Sequence, residues 1–276
     1  MKIINKAVDQ YIKNISDYET IMLNVDGVQI KQYINSTLWL IYRGNQNCPD
    51  VLTSVHMALE KYLLEICEKT NEEQTTSLLK IILKQTKSAS ITAVVASVAM
   101  AYYEKCFDII KILISNKDII LNDETRFRHE RTVQHISFRG NNYWREWHDK
   151  EREDSKKLPH RNCSLDHVIR CFSFFRNENV SEEVSASRLQ DLYQIIDNYY
   201  AELEDKESED YEDKTWRMFL SKIDRRLLQT NVKERDGQLV IEFNPQISDD
   251  LEQFRSENLK YLTERTKYVS VDLWTR

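Results

Sequence analysis

The sequence predicts an all-α fold of HEAT-like stacked helical hairpins, an α-solenoid, carrying one short β-hairpin near its C-terminus. Three observations lead there. Of 276 residues only 4 are glycine and 3 proline, where average usage of about 7% and 5% would supply roughly twenty and fourteen. Tight turns, strand bulges and phosphate loops draw on glycine, so a sandwich, a propeller or a parallel sheet with phosphate loops is disfavoured. Apolar residues recur at helical spacing through most of the chain, with short polar connections between the stripes. Asp236-Gly237 lies between two short runs, the second being Leu239-Val240-Ile241, which is a direct hairpin signal.

The elements follow in order. Ile3, Ala7, Tyr11, Ile15 and Tyr18 form one stripe of a first helix. A second helix is expected from about residue 28 to 42, broken by Arg43-Gly44. Pro49 suits a first helical position, and Asp50 after it favours the positive helix end. That third helix carries Val51, Leu52, Val55, Leu59, Tyr62, Leu63 and Ile66 on a broad apolar face. Asn71, with Gln74 three residues on, has the form of a helix cap. Residues 88–103 contain no charge, and Ala89, Ala93, Ala96, Ser97 and Ala99 keep the segment slim. A helix apolar all round must be surrounded, so this one is expected at the centre. Residues 106–114 and 117–121 add two short helices. Residues 126–159 break the pattern with arginines, aromatics and acids. Helices resume at 162–175, 181–207 and 211–228, the hairpin spans 231–243, Ser248-Asp249-Asp250 caps a last helix to about 265, and residues 268–276 have strand-like composition.

Charge and cysteines narrow the class. The formal net charge is −6, which argues against a nucleic-acid coat or a membrane-surface protein. Residues 125–161 hold ten Lys/Arg and six Asp/Glu, a local +4, and residues 178–213 hold thirteen acids and two bases, a local −11. Cys48, Cys67, Cys106, Cys163 and Cys171 are odd in number and lack CxxC spacing, as expected of reduced thiols in a cytoplasmic protein. The most apolar run, residues 91–101, is 11 residues long and falls short of the roughly 18 that suggest a membrane span.

Several constellations carry potential chemistry. No GxxxxGK[ST], GxGxxG or GxSxG occurs, which removes a self-contained P-loop, Rossmann or hydrolase reading. His129-Glu130 and His135 are six residues apart in their histidines, about 120° out of phase on a helix, and do not form a zinc pair. His160, Cys163, His167 and Cys171, spaced 3, 4 and 4, have zinc-ligand types. The ends of that stretch lie about 16 Å apart on a helix, so one ion reaches at most two neighbours and needs ligands from elsewhere. A core stripe with Leu165, Val168 and Phe172 is the favoured reading. Arg126, Arg128, Arg131, Arg139, Arg145 and Arg152 interleave with Phe127, Phe138, Tyr143, Trp144 and Trp147. Protein interfaces favour these types, internal ion pairing comes second, and nucleic acid third because six acids dilute the patch.

Arg161-Asn162, four residues, then His167 has the form R-N-x4-H. It resembles the R-x4-6-H signature of HEPN-type ribonucleases, which are small all-helical domains. That resemblance implies metal-independent RNA cleavage, with His167 acting on the 2′-hydroxyl and Arg161 stabilising the phosphorane. A near-neutral imidazole and a guanidinium are suited to those roles. The competing reading is an Asn162 helix cap beside a partly buried His167.

Residues 40–44 (LIYRG), 49–52 (PDVL), 57–65 (MALEKYLLE) and 88–98 (SASITAVVASV), together with residues 158–161 (LPHR), Trp216-Arg217, Asp224-Arg225-Arg226 and the Asp236-Gly237 hairpin ending in Pro245, resemble a helical region of large bacterial ATP-binding, STAND-like proteins of anti-phage defence. The resemblance implies a segment lacking the nucleotide-binding module, in agreement with the missing phosphate loop, and carries over no catalytic residue.

The expectation is therefore an N-terminal helical array (1–125), a basic, aromatic-rich excursion (126–160) and a C-terminal helical unit (161–276). It would work as a non-enzymatic recognition or scaffold segment that binds protein, without cofactor, metal or membrane. The expected contact surface is Arg126, Arg128, Arg131, Arg139, Tyr143, Trp144, Arg145 and Trp147. The alternative is a HEPN-like ribonuclease using Arg161 and His167.

Overall fold

The computed structural model describes residues 1–14, 17–43, 48–132, 150, 154–175, 180–203, 210–235 and 237–267, and they are predominantly helical. The first unit, Met1–Asp191, opens with α1 (Lys2–Ile12), whose Val8 and Ile12 are buried. The predicted second helix over 28–42 is overturned for residues 28–34 and holds only from Ser36 onward. Residues 19–34 form a hairpin of β1 (Glu19–Val25) and β2 (Val28–Ile34), antiparallel, with Ile21 opposite Gln32 and Leu23 opposite Ile30. The turn is Asp26-Gly27, both at positive φ, 52° and 79°, as a two-residue hairpin of favourable twist requires. Alternation places Ile21, Leu23 and Val25 inward from β1 and Gln32 and Ile34 from β2. Lys80 and Lys84 both reach Asp26 at 2.8 Å and tie the turn to the fourth helix. The edge of β2 is met by the chain before the central helix, where the Tyr33 amide donates to the Lys87 carbonyl.

Asn35 then caps α2 (Ser36–Leu40), accepting from the Leu38 amide at 2.8 Å, and a 3-10 turn, Ile41–Arg43, follows. The long α3 (Asp50–Lys69) and α4 (Glu72–Gln85) come next, the latter opening on a reciprocal Asn71–Gln74 capping box as predicted. Residues Ala89 to Met100 of α5 (Ala89–Ala101) are all buried. This helix contacts α2, α3, α4 and α6 (Phe107–Ile114), and also a 3-10 turn at Pro159–Asn162, so the expectation of a central helix holds. Its small side chains let neighbours approach, and each fully buried Val or Ile contributes about 1.5–3 kcal/mol. Helix α7 (Lys117–Thr132) runs past the predicted end at residue 121. Arg126, Arg128 and Arg131 therefore lie on a regular helix and not in an irregular excursion. Helix α8 (Leu165–Phe174) follows the 3-10 turn, and α9 spans Glu182–Glu202.

The second unit is Leu192–Arg276. In it, α10 (Tyr211–Ile223) buries Trp216, Phe219, Leu220 and Ile223. Trp216 stacks on Phe219 with ring centroids 5.2 Å apart and meets the edge of Tyr199 at 5.1 Å. The predicted C-terminal hairpin is present, as β3 (Leu228–Arg235) paired with β4 (Gln238–Pro245). It is thus the second of two described hairpins. At its base, Arg226 binds Asp224 and Asp197 and lies over the Tyr193 ring. Helix α11 (Asp249–Thr266) is joined to α10 by an Arg217–Asp250 ion pair at 3.1 Å. Residues 268–276 lie outside the described residues.

Candidate functional site

The unusual chemistry of the first unit is a cluster of charges in its interior. Asp123, Arg126 and Glu130 are spaced by 3 and 4 on α7, which puts them on one helix face, and that face is turned inward. Arg126 is 1% exposed. Its Nε donates to Asp123 at 2.7 Å, Nη1 to Glu130 at 3.1 Å and Nη2 to the Cys163 carbonyl at 2.5 Å. Asp123 also accepts the first amide of α8, from Leu165, at 2.8 Å. Arg43, from the 3-10 turn after α2, pairs with Glu130 and donates to Ser155. On the far side, Arg161 pairs with Glu60 of α3, and Ser97 of α5 donates to the same carboxylate. Both Arg161 and Glu60 are about 95% buried. The Tyr42 ring lies between the two halves, 5.3 Å from the Arg161 guanidinium and 5.9 Å from that of Arg43.

Three guanidiniums thus face three carboxylates, and the charges cancel. Burial pushes the Tyr42 hydroxyl up to about 12 against the pull of Arg126 and Arg161. Burial, and then the positive charges of Arg161, Arg43 and Arg126, bring His160 down to about 3, so its imidazole is neutral at pH 7. Burial opposes the charge on Arg126, but Asp123 beside it prevails and its pKa is raised. The guanidiniums and carboxylates are spent on one another, and the cluster works as a clasp joining α3, α5, α7 and the chain leading into α8.

A second buried relay lies nearby in sequence. His56 Nδ1 donates to the Leu52 carbonyl at 2.8 Å, which fixes its tautomer, and Nε2 accepts from Ser90, 3.0 Å away; Ser88 donates in turn to Ser90. The pair has the make-up of a serine–histidine dyad, but both side chains are fully buried, so it braces α3 against α5.

The described members of the predicted site are dispersed. Arg126 is in the interior and does not contribute to an exposed contact surface, because Asp123 and Glu130 on its own helix draw it inward. Arg128 is exposed and pairs with Glu124 at 2.9 Å, and the exposed Arg131 lies 5.4 Å from the Phe127 ring. Arg139, Tyr143, Trp144, Arg145 and Trp147 lie outside the described residues. Arg161 faces Glu60 and Ser97, whereas His167 is exposed on α8 with its Nε2 3.4 Å from the Cys171 thiol. Burial, then Arg170, lowers the pKa of His167. Ser164, not Asn162, occupies the cap position of α8. Among the described residues, no group of three or more His, Cys, Asp or Glu side chains is placed to hold a metal ion. No described helix is long and apolar enough to cross a membrane.

Glu60 and Asp123 were not picked out by sequence reasoning, and Arg43, Glu130 and His160 were weighed there only as a helix breaker or as metal-ligand candidates, not as members of a buried charge cluster. A signal existed for Glu60. His56 and Glu60 continue a stripe through Leu52, Leu63 and Cys67, and polar residues on a core stripe call for buried partners. The observed inward face of α3 is that stripe, and Val51, Val55 and Tyr62 of the predicted apolar face are exposed. No protein-family model matches the sequence, and no curated protein matches it at a significant level.

Proposed function

We propose that the chain is a non-enzymatic helical recognition segment that binds another protein, as the sensor part of a larger ATP-dependent protein of the defence class its sequence resembles. The observation that carries this reading over the ribonuclease is the engagement of Arg161. A guanidinium that is to stabilise a phosphorane must meet the phosphate, and this one is buried against Glu60 and Ser97. The HEPN-like roles would require that clasp to open, leaving Glu60 as an uncompensated buried charge. Consecutive helices α4 to α7 touch in turn, the cadence of HEAT-like stacked hairpins, and this supports an extended helical surface as the means of recognition. Along α7 the clasp holds one face inward and leaves Arg128 and Arg131 outward, leading into the arginine- and tryptophan-bearing residues that follow.

Two experiments test the reading. Labelled single-stranded RNA incubated with the purified protein in EDTA should remain intact, equally for wild type and His167→Ala; cleavage that disappears in the variant would establish the ribonuclease instead. Replacing Arg139, Trp144, Arg145 and Trp147 together should abolish recovery of a partner that is then shown to bind the purified wild-type protein, with circular dichroism unchanged. Undiminished binding would remove that surface from the proposal.

A further inference from the structure

We propose that His167 and Cys171 are one half of a tetrahedral zinc site that a second copy of this chain completes. The two residues are four apart on α8, so their side chains stack on one face of the helix. His167 Nε2 and Cys171 Sγ stand 3.4 Å apart. A zinc ion takes thiolate at about 2.3 Å and imidazole nitrogen at about 2.0–2.1 Å, which at a tetrahedral angle places the two ligand atoms about 3.5 Å from each other. The pair is therefore already at chelating separation without a change of backbone.

The charged neighbours of the pair neutralise one another. Asp166 and Arg170, the charged neighbours on the same helix, are tied to each other at 2.7 Å, so neither blocks the pair. The His167 side chain is exposed on the helix surface, and partial desolvation of its ring and then Arg170 lower its pKa, the direction that favours the neutral form a metal ligand needs. Cys171 is a free, half-buried thiol whose pKa burial raises. On coordination its sulfur–hydrogen bond is exchanged for a sulfur–zinc bond, and the proton leaves to solvent, with no change of oxidation state. One chain offers two ligands here and no third among the described residues. Two identical half-sites around a twofold axis supply two histidines and two cysteines, a closed set that zinc favours. Thiolate with imidazole in tetrahedral array selects zinc over magnesium or calcium, which prefer oxygen.

The test uses the intact chain, stripped of metal by a chelator and kept reduced. Added zinc should double the mass seen by sedimentation velocity, saturate at one zinc per two chains, and be reversed by EDTA. Cobalt(II) in its place should show tetrahedral visible bands and a thiolate charge-transfer band. His167→Ala and Cys171→Ser should each abolish the zinc-dependent dimer with unchanged circular dichroism. Cys171→His should keep the dimer and lose the charge-transfer band, and Cys163→Ser should change nothing. An unchanged mass with zinc, binding of one zinc per single chain, octahedral cobalt bands, or a dimer that survives both single replacements would each overturn the proposal.

Discussion

At the scale of single residues, the Glu60–Arg161 pair and His160 dominate. A buried ion pair is weak evidence of net stabilisation, because desolvation offsets much of the attraction, yet removing one partner strands the other. Glu60→Gln is therefore expected to lower stability in urea unfolding by about 3–5 kcal/mol. Replacing Glu60 and Arg161 together by methionines is expected to cost much less, and equal losses in single and double variants would contradict the clasp. His160 adds a pH dependence. Its folded pKa, about 3, lies below the ordinary 6.5. The unfolded chain thus binds the proton first as pH falls, and the stability from a neutral His160 is complete above 6.5 and lost on the way to 3. The slope it adds approaches about 1.4 kcal/mol per pH unit. His160→Gln should flatten the decline in urea stability between about pH 7 and pH 4, and a variant-to-wild-type difference that does not change with pH would refute that role. The identity of these residues is plain in the sequence. Their burial is not, because arginine is ordinarily a surface residue and Glu60 and Arg161 stand 101 positions apart.

At the scale of elements, the two hairpins show how local chemistry can be read or overlooked. Asp236-Gly237 predicts its hairpin because the residues around it have no competing helical stripe. Asp26-Gly27 carries the same signal, but Val28 to Tyr42 also contains apolar residues at helical separations, and that pattern suggests a helix. Two effects override it: the turn needs positive φ, and β2 buries Ile34 and Gln32 on one face, where Thr92 donates to Gln32 at 2.6 Å. Gly27 stands at φ +79° with nothing within 4 Å of an added Cβ. Gly27→Ala should therefore incur only the left-handed backbone cost, about 1–2 kcal/mol, seen as a lower urea midpoint with an unchanged slope. A neutral result would mean that the turn relaxes to another form. The Asn71 cap was legible for the opposite reason: a capping box is satisfied within four residues and needs no tertiary partner.

At the scale of the whole molecule, burial differs sharply between elements of the two units. Helix α5 is enclosed by its neighbours, whereas β3 exposes nearly every residue and Val232 and Leu239 face solvent. Hydrogen exchange is expected to be slowest in α5 and orders of magnitude faster in β3 and β4, since local openings there expose little apolar surface. Comparable protection in both would show that the C-terminal hairpin is covered in solution. The sequence alone determined that the chain is predominantly helical, that residues 88–103 supply the enclosed helix of the first unit, and that a hairpin lies near residue 237. Each follows from composition, periodicity or a dipeptide, which act over a few residues. Only the tertiary structure decided which face of α3 is inward, that Arg126 and Arg161 are buried in a neutral clasp, and that His167 stands apart from Arg161 beside Cys171. Those outcomes depend on which distant side chains meet and on whether a buried charge finds its partner.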